Sequence, residues 1–236
     1  MWTAKRSLAH TACMKEYGQR YCPIARASEI FAERWTPIIV RNLLLGCTTF
    51  GQILDGLPGV PRSVLTQRLR ELERHGLLER RTEPGRRGHV YELTEAGMGL
   101  AEVCDALGRW GAQWLEVAPK ELDPGIVLWA IAKCIDRSRL PEKQVTVRFD
   151  VKRHPRFWLV IHRPEPELCR THPGGQEDIV IATDAETLAR WHMGEFAFGH
   201  AIANGTMRIE GVPRLVRQFQ SWGGQTPFKD VQRAGR

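Results

Sequence analysis

The sequence lacks the features that mark membrane-spanning, secreted and zinc-binding proteins. No run of about 18 apolar residues occurs, so no membrane-spanning helix is expected. The N-terminal residues carry charge, but no apolar segment follows them, which argues against secretion. The six cysteines include no CxxC pair, and their wide spacing is typical of reduced thiols in the cytosol. We therefore expect a cytoplasmic protein that has no structural zinc site and no membrane partner.

Groupings of residues that are typical of catalysis are also missing. No Ser-His-Asp set and no paired carboxylates stand at a useful spacing, so we predict no enzyme activity and no catalytic residue. Cys169 and His172 lie close together, but no second pair of ligands is near them, and we predict neither a metal nor a cofactor. A thiol enzyme that uses Cys22 would need a base, and residues 22–45 contain no histidine.

Basic residues outnumber acidic ones by 34 to 27, and the formal net charge is +7. This excess favours a polyanionic partner. The length of 236 residues suggests one or two domains, and an apolar fraction of 42% is enough to form buried cores.

The segment 61–78 is the most informative part of the chain. Leu65, Leu69 and Leu72 recur at i, i+4 and i+7, which predicts a helix with one apolar stripe. The other face carries small polar groups and guanidiniums, from Ser63, Thr66, Gln67, Arg70 and Arg74. Such side chains can reach base edges and phosphates in DNA. The alternative is an ordinary solvated helix face, although mixed Glu and Lys would be more typical of one.

The neighbouring patterns complete a winged helix-turn-helix. Thr49 and Gln52 have capping-box spacing, which predicts a short helix before the turn at 57–61, and Pro37 predicts a helix break near Trp35. Segments 77–82 and 89–93 are predicted strands, joined by a loop that exposes Arg86 and Arg87. That loop is either a DNA-binding wing or a solvated basic turn. The apolar residues of the next helix, over 94–114, need a partner surface, which is either a second copy or the following domain.

Short matches at 22–24, 33–36, 41–46, 57–60, 65–72 and 91–97, together with Phe50, carry a family resemblance. They make residues 20–115 similar to the HxlR-type winged-helix transcriptional regulators of bacteria. One difference lies before the recognition helix. Family members often have Ser-Pro there, whereas this chain places Pro61 at the capping position, so the start of the helix is open by about one residue.

The resemblance implies a homodimer that binds palindromic double-stranded DNA with the recognition helix in the major groove. By that resemblance, base-edge contacts are assigned to Ser63, Thr66, Gln67 and Arg70. Contacts with the DNA backbone are assigned to Arg62, Arg86 and Arg87. Gln67 would suit adenine and Arg70 would suit guanine. The sequence does not decide which of the two reads a base, nor whether the protein is a repressor or an activator.

Cys22 stands where the family pattern has a cysteine before the first core helix. In some relatives a thiol at this position looks like a redox sensor, which needs an exposed and reactive thiolate. The alternative is an inert, partly buried cysteine at the base of the dimer.

The second half of the chain predicts an α+β domain. A helix over 125–137 precedes strands at 145–151, 156–162, near 167–170, and at 178–183, which suggest an antiparallel sheet covered by helices. Thr183 and Glu186 have capping-box spacing for a further helix. Matches at 179–188, 193–195 and 201–211 make about residues 124–222 similar to the sterol-carrier-protein-like domain, which implies an apolar cavity between sheet and helices. The candidate lining residues are Trp158, Trp191, Phe196 and Phe198. The alternative is that these aromatics simply fill the core.

The complete prediction is an α+β chain with a winged helix-turn-helix domain followed by a sterol-carrier-like domain. The predicted parts are a flexible arm at 1–20, the DNA-binding domain at 21–115, a linker at 116–124, the sterol-carrier-like domain at 125–223 and a tail at 224–236. We expect a dimeric transcriptional regulator whose C-terminal domain senses an apolar small molecule. The alternative is a lipid-binding or carrier protein whose winged domain mediates protein contacts.

Overall fold

A computed structural model of the chain describes residues 21–85, 88–116 and 122–234. The chain divides into two compact units between Cys104 and Asp105. Helices dominate the first unit, and a five-stranded sheet organises the second, so the protein is α+β.

The described part of the first unit begins with four helices, which are followed by a hairpin. The helices are α1 (Pro23–Phe31), α2 (Thr36–Leu44), α3 (Phe50–Asp55) and α4 (Arg62–Arg74). The first helix ends earlier than the predicted position near Trp35, because the Thr36 amide bonds to Glu33 O and closes a separate turn. The predicted capping box of α3 is present, with Thr49 Oγ1 accepting from the Gln52 amide and Gln52 Oε1 accepting from the Thr49 amide.

The hairpin consists of β1 (Leu78–Arg81) and β2 (Val90–Leu93), paired antiparallel from Leu78–Leu93 to Arg81–Val90. Thr94 then caps the short helix α5 (Glu95–Met98), as its hydroxyl accepts from the Gly97 amide. A second helix, α6 (Leu100–Trp114), follows after Gly99 and crosses the division between the units. The single helix predicted from residue 94 is therefore two helices.

The core of the first unit is apolar, with one buried amide. The predicted stripe of α4 is buried, and so are Ile39 and Val40 of α2, Ile53 of α3 and Leu57 of the turn that follows. Each such side chain contributes roughly 1.5–3 kcal/mol when removed from water. Asn42 is also fully buried, but its amide donates to Ile53 O and its oxygen accepts from Arg41, so α2 and α3 are joined without an unsatisfied polar group.

The second unit begins with α7 (Pro124–Lys133) and a 3₁₀ turn (Arg137–Arg139). Its strands are β3 (Val145–Val151), β4 (Phe157–Ile161), β5 (Glu167–Cys169), β6 (Ile179–Thr183) and β7 (Arg208–Gly211). Its later helices are α8 (Ala185–His192), α9 (Phe198–Ala203) and α10 (Pro213–Phe219), followed by a 3₁₀ turn (Gln220–Trp222). Asp184, one residue after the predicted cap, is the N-cap of α8, because the Thr183 hydroxyl is used in a bond to Thr206 O.

The sheet is mixed, which corrects the prediction of an antiparallel sheet. The strand order is β5-β4-β3-β6-β7, and β3 pairs with β6 in parallel, with Val147 opposite Ile179. Strand β4 is antiparallel to both β3 and β5, so β3 and β5 run in the same direction. Because β6 is parallel to β3, the chain must return to the opposite end of the sheet between β5 and β6. Segment 170–178 makes this crossing. Its Glu177 bonds to Arg148 and to Trp158, which lie on neighbouring strands of the sheet.

Residues 224–234, predicted as a tail, pack against the second unit. The Thr226 amide bonds to His192 O, and Arg233 pairs with Glu195 at 2.6 Å. The ring of Phe228 lies over Gly108 of α6, where an added Cβ would come within 2.2 Å of it. These residues therefore hold the end of α8 beside α6.

Candidate nucleic-acid interface

Helix α4 starts without a side-chain cap. Pro61, with φ −62° and ψ 140°, is its N-cap and offers no side-chain acceptor, which agrees with the position predicted for it. The preceding turn contains Gly59 in the left-handed region, at φ +75°. The amide groups at the start of an uncapped helix are suited to a phosphate, and the helix dipole favours a negative charge there.

The two faces of α4 differ in exposure as the sequence predicts. Leu65, Leu69 and Leu72 are at most 3% exposed. The predicted base-reading residues lie on the other side, where Ser63, Gln67 and Arg70 are exposed and Thr66 is half-buried. The structure thus brings these four residues of the predicted set onto one accessible surface.

Two of these side chains already bond within the helix. The Thr66 hydroxyl donates to Arg62 O at 2.9 Å, and the Gln67 amide donates to Glu71 Oε1 at 3.0 Å. Glu71 also forms an ion pair with Arg68, with 2.6 Å between Glu71 Oε2 and Arg68 Nη1. Burial raises the pKa of Glu71, but hydrogen bonds from Gln67 and Arg68 and the nearby arginine charges lower it by more, so its net shift is downward. Glu71 is thus a carboxylate at neutral pH.

The arginines of this surface have different surroundings. The Arg62 guanidinium lies over the Phe50 ring at 4.8 Å, so the first residue of α4 contacts the start of α3. Arg68, which the sequence analysis did not single out, bridges Glu71 and Glu33. Glu33 is 35 positions away in sequence, so no local pattern reveals this bridge. Arg70 is exposed and has no ion-pair partner among the residues that the structure describes.

The predicted wing is present as the β1–β2 hairpin, and Gly85 and Gly88 adopt positive φ in its loop. Arg86 and Arg87, the residues predicted at its tip, lie outside the described residues. On the strands themselves Arg80 pairs with Glu73, and Arg81 pairs with acidic residues of the hairpin.

Helix α6 has an exposed apolar surface, part of which was predicted from the sequence. Its large apolar residues are half-exposed, namely Val103, Leu107, Trp110 and Trp114. Tyr21 and Ile24, near the start of the described chain, are 83% and 76% exposed and were not singled out. Cys22, the sensor candidate, lies between them as the N-cap of α1, half-buried and with a free thiol.

The four aromatic candidates of the second unit do not form one group. Trp191 and Phe198 meet edge to face at 5.4 Å inside the core. Trp158 contacts His172 at 5.4 Å and donates to Glu177, on the crossing segment. Phe196 is half-buried beside His200. Two cavities in the described part of this unit are lined by other residues.

Within the described ranges, no helix is long and apolar enough to cross a membrane. The same ranges hold no group of three or more His, Cys, Asp or Glu residues that could bind a metal ion.

Comparison with known proteins shows one family for this chain. The model of the HxlR-like helix-turn-helix family matches residues 30–119. The HTH-type transcriptional regulator sll1512 of Synechocystis sp. is 38% identical over 96 residues, which span 40% of this chain and 71% of the relative. The regulator YodB of Bacillus subtilis is 32% identical over 101 residues, which span 42% of this chain and 90% of that protein.

The reduced form of YodB is also a structural neighbour, at 30% identity and a TM-score of 0.36, covering 41% of this chain and 96% of YodB. The family match ends at residue 119, so the sterol-carrier-like interpretation of the second unit stays a prediction. The chain belongs to the HxlR-like helix-turn-helix family, whose members are DNA-binding transcriptional regulators and not enzymes.

Proposed function

We propose that this protein is a dimeric regulator that binds a palindromic operator through α4 and the β1–β2 wing. The proposal rests on the difference in burial between the two faces of α4. Three buried leucines fix one face against the core, and the opposite face presents Ser63, Gln67 and Arg70 to solvent. A helix of this width fits the major groove, where each base pair has a distinct pattern of donors and acceptors.

The proposed contacts follow from side-chain chemistry. Arg62, Arg86 and Arg87 would bind phosphates and position the protein, while Ser63, Thr66, Gln67 and Arg70 would contact base edges. Arg70 is suited to the O6 and N7 of guanine. Gln67 is suited to adenine, but it must first exchange its bond to Glu71 for the base.

A second copy of the chain is the proposed partner for the apolar surface of α6. Trp110 and Trp114 are each more than half exposed in the single chain, and large exposed apolar patches mark interaction sites. A two-fold dimer would place its recognition helices about one DNA turn, or roughly 34–36 Å, apart. This spacing is why a palindromic operator is part of the proposal.

The second unit is proposed as a sterol-carrier-like sensor of an apolar effector. Its helices and sheet enclose an apolar core, in which Trp191 and Phe198 meet edge to face at 5.4 Å. An effector bound between sheet and helices would change the surroundings of this tryptophan. The expected signature is therefore a change in tryptophan fluorescence on binding.

Fluorescence anisotropy with DNA from just upstream of the protein's own gene tests the main proposal. Specific recognition predicts tighter binding to this duplex than to a scrambled one, with an affinity that falls steeply as salt rises. Equal binding to both duplexes would contradict specific reading of that DNA. No binding to either at low salt would favour the carrier alternative.

A further inference from the structure

We propose that the cleft between the start of α7 and the turn joining β3 to β4 binds a small organic anion, a carboxylate or phosphate attached to an apolar group. The cleft lies within the second unit and has a volume of about 600 Å³, in the usual range for small-molecule sites. The proposal does not depend on the DNA-reading surface of α4.

The cleft combines cationic and apolar side chains. Arg156, Arg170 and His154 supply the cationic and hydrogen-bonding groups, and Pro124, Pro155 and Phe157 supply apolar surface. Phe157 is a strand residue that is 4% exposed, so its part of the apolar wall is fixed by the packing of the core. A few convergent polar groups on an apolar wall are the usual composition of a ligand site.

One arginine of the cleft has no carboxylate partner in the described part of the chain. Among the described lining residues the one carboxylate is Asp123, whose Oδ1 already accepts a backbone amide at 2.8 Å as the cap of α7. Arg156 pairs with Asp150 at 3.1 Å, and Arg148 bonds to both Asp150 and Glu177, so these two arginines are matched by two carboxylates. Arg170 is left without an ion pair, and a negatively charged ligand group would pair with it.

Arg170 is held in place by packing. Its guanidinium lies over the Phe157 ring at 5.8 Å, and its Nη2 would be 2.9 Å from a Cβ at Gly125. The arginine therefore approaches the first turn of α7 closely only because residue 125 has no side chain. The amides of that turn are already bonded to Asp123, so the arginines provide the anion-binding donors.

The shape and composition of the cleft favour a small molecule over a nucleic acid. The phosphates of a duplex lie on a convex backbone and bind to accessible basic surfaces. Here the cations lie beside a concave wall that contains a buried phenyl ring, which matches a ligand with an apolar part next to its charge. A planar guanidinium binds both carboxylates and phosphates in a bidentate manner, so both groups belong to the proposed class.

Calorimetric titration of the full-length protein at low ionic strength tests this proposal. The probes are benzyl phosphate, phenylacetate, inorganic phosphate and benzyl alcohol. We expect saturable binding of at least one of the first two, and its affinity should be about tenfold or more above that of inorganic phosphate and benzyl alcohol. The tighter of the two organic anions identifies the preferred charged group.

Two variants and a control locate the site. Arg170→Ala should lower affinity for the organic anion about tenfold or more, the usual effect of losing a charge-assisted hydrogen bond. Gly125→Ala should lower it several-fold by displacing Arg170, while helix propensity keeps the fold intact. Arg208→Ala, at an exposed arginine of β7 outside the cleft, should leave it unchanged.

The proposal is overturned if neither organic anion binds, or if both cleft variants bind as tightly as the wild type while circular dichroism shows them folded. Anisotropy of the same variants on DNA separates this result from the proposed function. A loss of DNA affinity in Arg170→Ala, without binding of the small anions, would make the cleft a DNA contact instead.

Discussion

The side chain of Gln67 donates its amide to Glu71 Oε1 at 3.0 Å, across one turn of the recognition helix. This bond occupies the group that would donate to an adenine. It also places a carboxylate with a lowered pKa near the proposed path of the DNA. Base reading by Gln67 therefore competes with an existing bond, whereas Arg70 has no ion-pair partner within the described ranges.

Substitutions on α4 should separate base contacts from phosphate contacts. Arg70→Ala is expected to weaken binding to the native duplex by roughly 1–3 kcal/mol, about 5- to 150-fold, with little effect on a scrambled duplex. Arg62→Ala should weaken both equally and reduce the salt slope by about 1. Anisotropy over a salt series measures both, and equal losses on both duplexes in Arg70→Ala would contradict a base contact. Gln67→Ala should show a smaller specific loss, because the wild-type residue must give up Glu71.

Two glycines of α6 provide a matched pair for stability. A Cβ at Gly108 would lie 2.2 Å from the Phe228 ring, whereas no atom lies within 4 Å of a Cβ at Gly111. Gly111→Ala should stabilise the fold by about 0.5–1 kcal/mol through helix propensity. Gly108→Ala should instead destabilise it by about 1–3 kcal/mol, because the ring must move. Urea unfolding monitored by tryptophan fluorescence compares them, and equal effects would show that Phe228 does not pack on α6.

His192 should make stability dependent on pH. Burial lowers the pKa of its ring, although the hydrogen bond to Gly224 O at 2.7 Å opposes this shift. The unfolded chain therefore binds more protons than the folded chain below pH about 6.5. The free energy of unfolding should be highest above that pH and decrease as the pH falls below it. It should stop decreasing once the pH is below the folded-state pKa of His192. His192→Gln should show a smaller loss between pH 7.5 and 5.5 in urea titrations, and an unchanged slope would exclude this residue as the cause.

A charge on the apolar surface of α6 should disrupt the proposed dimer. Trp110→Glu places a carboxylate where a second copy would bury an indole, and loss of such an aromatic anchor costs about 2 kcal/mol or more. Sedimentation velocity should then show a monomer where the wild type is a dimer. Arg109→Ala is the control, because this neighbour is exposed and forms its ion pair with Asp105 of the same helix. A monomeric wild type would remove the dimer from the proposal.

Cys22 is open to a direct test of redox sensing. The variant Cys22→Ser should fold, since serine is a favoured N-cap and the thiol makes no cap bond at the start of α1. Treatment with diamide is expected to change the DNA affinity of the wild type and leave that of Cys22→Ser unchanged. Equal responses would show that another thiol, or none, is responsible.

Much of the first unit follows from short-range signals. The capping box at Thr49, the leucine spacing in α4 and the glycine-containing hairpin each act within a few residues, so the elements of the winged helix were predictable. The hydrogen bond between Gln67 and Glu71 is also local, because the two residues stand at i and i+4. The bridge from Arg68 to Glu33 was not predictable, because it joins two helices whose distance depends on the packed core.

The second unit illustrates the opposite case. Its first four strands were predicted from the sequence, but their order depends on where the crossing segment 170–178 places β6. The predicted antiparallel sheet was wrong for this reason. The aromatic candidates were likewise chosen by type, and only packing puts Trp191 and Phe198 in contact while Trp158 lies against Glu177.

By itself, the sequence determined the helix-turn-helix, its wing and its basic outer surface, since periodicity, capping and charge are properties of neighbouring residues. The tertiary structure alone decided the mixed sheet, the packing of residues 224–234 on α6 and α8, and the cleft that joins Arg170 to Gly125 and Phe157. These features arise from contacts between residues far apart in the chain. Their geometry is set by how apolar surfaces pack together, which no local pattern encodes.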